Sequence, residues 1–277
     1  MTNKFLYILE VFLVCLFFNI NANANVIKFN FDVKEVEILE NGNIFKGLKR
    51  GKATTTDGIT IEANTFTYNK TTNIFRAKGN IIFTDKINNL KIFSENATYY
   101  KNDEILITEN NSKAISNDGN IITGNKFKYE KIKNLFYASG NVEIKNIKKN
   151  YAISTDQITY FKSDEKIITK GKTNSLIQSK YKIDSSNVTF LVKDEKLISN
   201  NKTKIQDKNS NIYFIDQFSY LIKTEILKGK NILIITNNDS IKSDKYYFSN
   251  AIINLSKLNF VSKDPKIYVH KNIFDNS

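Results

Sequence analysis

The chain has no tryptophan and only one each of proline, cysteine, methionine and histidine. A single cysteine excludes a disulfide scaffold. One cysteine with one histidine excludes Cys/His zinc sites and a Cys–His nucleophile pair. No catalytic residue, cofactor or metal is expected. The near absence of proline leaves the ladder hydrogen bonds of central strands intact. Long runs of one charge are also missing: the net charge of +13 is spread through the chain and mixed with Asp and Glu. A dispersed excess makes a solvated surface rather than a face that reads nucleic acid, so no nucleic-acid partner is expected. Phosphate-bearing lipid headgroups remain compatible partners.

Residues 1–24 read as a secretory signal peptide. Lys4 precedes an apolar run from Phe5 to Ile20, and Ala22-Asn23-Ala24 gives a small-x-small cleavage pattern before Asn25. The alternative is an uncleaved anchor, but the run is short for a hydrocarbon core of ~30 Å. Cleavage would remove Lys4, Glu10 and the only cysteine, Cys15. The remaining residues 25–277 show no compositional break and are expected to form one elongated domain without disulfides.

That region repeats about every thirty residues. The aromatic anchors Tyr68, Tyr99, Tyr129, Tyr160, Phe190, Tyr220 and Phe248 are spaced 31, 30, 31, 30, 30 and 28 apart. Two residues earlier stand Phe66, Ala97, Phe127, Ile158, Val188, Phe218 and Tyr246, with mostly polar residues between, as in a strand with one dry face. Seven residues after each anchor come Phe75, Leu106, Phe136, Ile167, Leu197, Leu227 and Leu255. The polar links between are short, which favours antiparallel neighbours, unless the coil is a solenoid. Eleven after each anchor stands Gly79, Asn110, Gly140, Gly171, Asn201, Asn231 or Asn259, residues that tolerate positive φ and so predict a bulge or corner in mid-strand. The expected fold is all-β: a meander of long bent strands with an apolar inside.

The units Ala63-Asn64-Thr65-Phe66-Thr67-Tyr68 with Ala77-Lys78-Gly79-Asn80-Ile81, and Tyr129 with Ala138-Ser139-Gly140-Asn141-Val142, resemble the repeat of the OstA-like lipopolysaccharide-transport family. That family includes LptA, LptC and the periplasmic N-terminal domain of LptD. Phe29-Asn30-Phe31-Asp32-Val33 and Ile267-Tyr268-Val269-His270-Lys271 to Phe274 are most similar to the start and end of the LptD domain. No barrel-sized segment follows, so the sequence reads either as a piece of a longer protein or as a free-standing LptA- or LptC-like carrier.

The resemblance implies an elongated antiparallel β-jellyroll, V-shaped and open along one side, in the periplasm at or near the outer membrane. Its interior would carry the acyl chains of lipid A on Phe66, Tyr68, Phe75, Tyr99, Leu106, Phe127, Tyr129, Phe136, Ile158, Tyr160, Val188, Phe190, Phe218 and Tyr220. Partners would be lipopolysaccharide, OstA-like neighbours stacked edge to edge, and an outer-membrane barrel. The residues alone equally allow a filled sandwich core, as in a purely structural surface β-solenoid. Asn25 to Val36 and Ile252 to Val261 are expected as the exposed edges. His270 is expected to be a surface or packing residue. Asp156, Asp216 and Asp244 recur four before their anchors and read as turn or strand-entry residues rather than an acid pair.

Overall fold

The structure, a computed structural model, describes residues 29–116, 118–238 and 242–270. The expected signal peptide and Cys15 lie outside the described residues, as do residues 271–274 of the C-terminal match. Among the described residues, alternating apolar and polar side chains carry the chain into 23 strands that form one continuous antiparallel sheet. Consecutive strands pair as a meander, with Ile74–Asp85 beside Leu90–Tyr100, Ile105–Ser116, Ile121–Glu130, Leu135–Asn146, Tyr151–Phe161 and Lys166–Ile177 in turn. The all-β class, antiparallel pairing and jellyroll architecture are those expected.

Each long strand is bent at its middle. The pairing slips between Lys78 and Ile81, between Ser139 and Val142, and between Thr155 and Gln157. Gly79, Asn110, Gly140, Gly171 and Asn231 all take positive φ there, as their spacing predicts. Asn201 and Asn259 do not. At Asn201 the strand breaks between Lys196–Ser199 and Thr203–Asp207, and its side-chain amide donates to the Ser186 carbonyl at 2.9 Å. Asn259 opens a strand instead. Two of the three carboxylates read as turn or strand-entry residues belong to these corners: Asp216 accepts from Asn231 at 2.9 Å, and Asp156 crowds Gly171. Asp244 stands just before the strand Lys245–Asn254 and accepts from the His270 backbone at 2.8 Å.

Gly140, at φ +77°, is one position where this geometry is demanding, because a Cβ would lie 3.0 Å from the Asn125 Cβ. Replacing Gly140 with valine forces a β-branched residue into left-handed backbone and is expected to cost about 2 kcal/mol. Gly140→Asn, the residue the chain itself uses at equivalent corners, should cost less. Chemical denaturation of the two variants tests the order.

The bend lays the two halves of the sheet face to face. Phe83 in one half meets Tyr129 in the other at 6.2 Å between ring centroids, Tyr151 meets Phe190 at 5.1 Å, and Tyr181 meets Tyr220 at 5.9 Å. One continuous apolar core fills the space between. On one half, directly opposed residues form an unbroken line across the strands: Phe45, Tyr68, Phe75, Tyr99, Leu106, Tyr129, Phe136, Tyr160, Ile167, Phe190, Leu197, Tyr220, Leu227, Ile253 and Phe260.

That line corrects two sequence expectations. Phe248 is buried but pairs with Ile232 on the opposite half, so it is not the seventh anchor; Ile253 holds that place. The longer link after Ile226–Ile235 puts the repeat out of phase, and the matches at Tyr246, Leu255 and Asn259 fall with it. The C-terminal edge also shifts. Ile252 is inside a hairpin, paired with Val261, and the outermost strands are Asn259–Ser262 and Lys266–Tyr268. At the other end residues 25–28 of the expected N-terminal edge lie outside the described residues, and Phe29–Val33 and Val36–Leu39 pair on one side only.

Candidate functional site

All fourteen residues assigned to a lipid-binding wall face inward and are buried, from Phe190 and Tyr220 with no exposure to Tyr160 at 7%. Strand alternation puts Phe127 and Tyr129 on the same side, and brings Ile158 and Tyr160 to that side two strands away. The wall is therefore a single surface. It is also packed. A cavity of about 10 Å³ lies among Leu90, Ala114, Ile122, Phe136 and Tyr160, which is room for one water at most.

The mouth of the V, opposite the corners, is drawn shut by two rows of hairpin turns. Lys131 pairs with Asp57 on the facing row, and with Glu104 on its own row at 3.1 Å. Lys149 reaches Glu195 at 3.1 Å and Lys180 reaches Glu225 at 2.7 Å. Lys162 donates to the Asn88 carbonyl at 2.7 Å, and Gln178 to that of Ile222 at 3.2 Å. Tyrosines of the wall and its facing half join in: the Tyr129 hydroxyl donates to Asp85 at 2.8 Å and that of Tyr181 to Glu225 at 2.7 Å. Partners across the mouth are 44 to 46 or 74 residues apart, which is about one and a half or two and a half repeats. Half-integral spacing is what links one row of turns to the other. The open side expected from the family resemblance is thus bridged along the middle of the sheet, where facing turns carry complementary donors and acceptors.

Burial raises the tyrosine hydroxyls against ionisation, Tyr160 to about 12, with Asp118 adding to the effect. Tyr129 moves the same way, through burial and the neighbouring Asp85 carboxylate. They act as neutral donors at neutral pH. The Tyr220 hydroxyl is buried without a hydrogen-bond partner, so the inner wall carries one unmet polar atom. Burial works against ionisation of Glu225, but hydrogen bonds from Lys180 and Tyr181 outweigh it and hold its pKa below the usual range. Asp57 behaves likewise, with Lys131 and Thr55 as donors.

The sign of the pH effect follows. A depressed folded pKa contributes stability that is full above the unfolded value, near 4.5 for Glu225, and is lost as pH falls through the folded value. The melting temperature should therefore drop below about pH 4.5. Glu225→Gln should melt lower than the wild type at pH 7, and the gap should close at low pH. A gap independent of pH would show that ionisation of Glu225 does not hold the mouth.

No family model matches the chain, and no curated protein does. Among solved structures it is similar to LptH, the LptA-homologous periplasmic component of the lipopolysaccharide transport device from Pseudomonas aeruginosa. The two share 13% identity over 43% of this chain and 94% of that one, with a TM-score of 0.39. It is also similar to the WD40 domain of SCAP from fission yeast, at 7% identity over 87% of this chain and 90% of that one, with a TM-score of 0.14. With TM-scores this low, neither likeness carries weight.

The mouth is the part of the site that sequence reasoning missed. One signal was available: lysine stands two residues after four successive anchors, at Lys70, Lys101, Lys131 and Lys162. Read as solvated turn residues, they gave no hint of facing a second row. Among the described residues no group of three or more His, Cys, Asp or Glu is placed to hold a metal ion.

Proposed function

We propose that the chain is a non-enzymatic lipid carrier of the OstA-like type, which shields the acyl chains of lipid A between its two sheet halves in the periplasm, near the outer membrane. The observation that carries this reading is the unbroken inward line from Phe45 to Phe260. Adjacent strands lie about 4.8 Å apart, so the line offers similar apolar positions at short intervals along the sheet. A 12-carbon chain left in water costs about 10 kcal/mol, and equivalent neighbouring sites let it move without a deep trap. Transfer needs no bond made or broken. Residues 25–277 would act as one carrier domain behind the signal of residues 1–24.

The edges supply the docking surfaces in this reading. Val36 and Ile38 at one end and Phe260, Val261, Ile267 and Tyr268 at the other are exposed beside unpaired strand backbone. OstA-like neighbours would add there by strand pairing, and an LptD-type domain would hand lipid to an outer-membrane barrel. A second reading, a purely structural β-solenoid, is favoured by the packed interior and joined mouth.

Photo-crosslinking separates the two. Photoreactive residues at Phe66, Phe127 and Phe218 should capture lipid A, while those at Thr67 and Thr189 on the outer face should not. Equal capture from both sets, or none from the inner set, rejects the interior path.

A further inference from the structure

Lys101, Lys131 and Lys162 open successive turns on one row of the mouth, two strands and therefore about 10 Å apart. Lys131 is held by Asp57 and Glu104. Its two neighbours lie beyond ion-pair distance of any carboxylate among the described residues. Lys101 is 8% exposed; its ammonium is 3.4 Å from the Tyr68 hydroxyl and sits over the rings of Phe29 and Tyr68 at 5.4 and 5.7 Å. Lys162 uses one donor on the Asn88 carbonyl and lies 5.7 Å from the Tyr129 ring centroid.

Nearby carboxylates are committed elsewhere. Asp57 is taken by Lys131. Asp85 accepts from the backbone and side chain of Asn88 and from Tyr129, and Asp118 from Ser116 and Asn120. An ammonium carries three donors, and burying one on a single neutral acceptor is costly where a carboxylate partner would have solved it. Burial lowers the pKa of both lysines, which the fields of Asp57 at Lys101, and of Asp85 and Asp118 at Lys162, offset in part.

We infer that Lys101 and Lys162, four strands and so about 20 Å apart, form two separate subsites for the phosphates of amphiphiles whose chains lie along the inner line, the spare N–H donors of each meeting phosphate oxygens at the mouth. Both rest on the carrier reading and add its headgroup chemistry. The rings under each ammonium continue into the wall, so one ligand satisfies both the charge above and the apolar surface below.

The test measures binding of phosphorylated lipid A, and of the same lipid after enzymatic dephosphorylation, both in detergent micelles. The wild type should bind the phosphorylated form about tenfold more tightly. The double variant Lys101→Met, Lys162→Met should bind both forms as the wild type binds the dephosphorylated one. Its unliganded melting temperature should stay within about 2–4 °C of the wild-type value, because the Lys162–Asn88 and Lys101–Tyr68 hydrogen bonds are lost but no ion pair is; a larger fall would mark the lysines as structural. In the wild type, the phosphorylated lipid should also protect Lys101 and Lys162 from acetylation, a readout that needs no variant. Displacement of the lipid by millimolar inorganic phosphate would assign the site to free phosphate and overturn the headgroup. Equal wild-type affinity for the two lipids overturns the lysine site alone, whereas binding of neither overturns the carrier reading beneath it.

Discussion

A short bis-maleimide bridge between cysteines placed at Lys180 and Glu225 should lower capture of lipid A by at least tenfold, and the unbridged double variant should capture it normally. Lys180 and Glu225 belong to opposite rows of turns, joined at 2.7 Å in the closed form. Acyl chains can reach the inner line only if those rows part. The magnitudes allow parting: Glu225 is buried and accepts from both Lys180 and Tyr181, hydrogen bonds to a charged group worth about 1.5–3 kcal/mol each, against about 10 kcal/mol for burying one 12-carbon chain. A covalent bridge removes that option. The control is a bridge along a single row, between Lys131 and Glu104, which sit on neighbouring turns 3.1 Å apart. That bridge should leave capture unchanged, with Cys15 replaced by serine in both proteins. Capture surviving the cross-row bridge would mean that lipid does not enter through this mouth.

The sheet was legible in the sequence because its cause is local. Period-2 alternation fixes which face is dry, and a positive-φ residue at a fixed offset fixes where the strand bends. Tyr129 and Phe136 announce their own pairing because a short polar turn separates them. The mouth was illegible for the opposite reason. Lys180 and Glu225 look like ordinary turn residues, and only the fold-over sets them side by side. The misplaced anchor has the same origin: Phe248 is apolar and about one repeat beyond Tyr220, but the longer link before Lys245–Asn254 moves it to the facing half. Spacing reports distance along the chain, and it misleads once a link departs from the common length. How the wall is used was not legible either, since a filled core and a closed carrier require the same residues.

Phe190→Ala distinguishes those two uses by stability. Phe190 has no solvent exposure, sits on the inner line between Ile167 and Leu197, and packs edge-on against Tyr151 across the interior. Truncating a buried phenylalanine costs about 3–5 kcal/mol, part of it for the cavity left behind. For a domain of this size the melting temperature should fall by roughly 10 °C. Tyr247→Ala, at an outward position 38% exposed where the ring packs edge-on against Tyr268 at 5.7 Å, should cost only about 1 kcal/mol. The decisive measurement is the Phe190→Ala melt with saturating lipid A. A carrier offers the new cavity to an acyl chain, so the ligand binds the folded form and should recover several degrees beyond any gain in the wild type. In a structural solenoid the cavity has no route of entry, and the variant should melt at the same temperature with and without lipid.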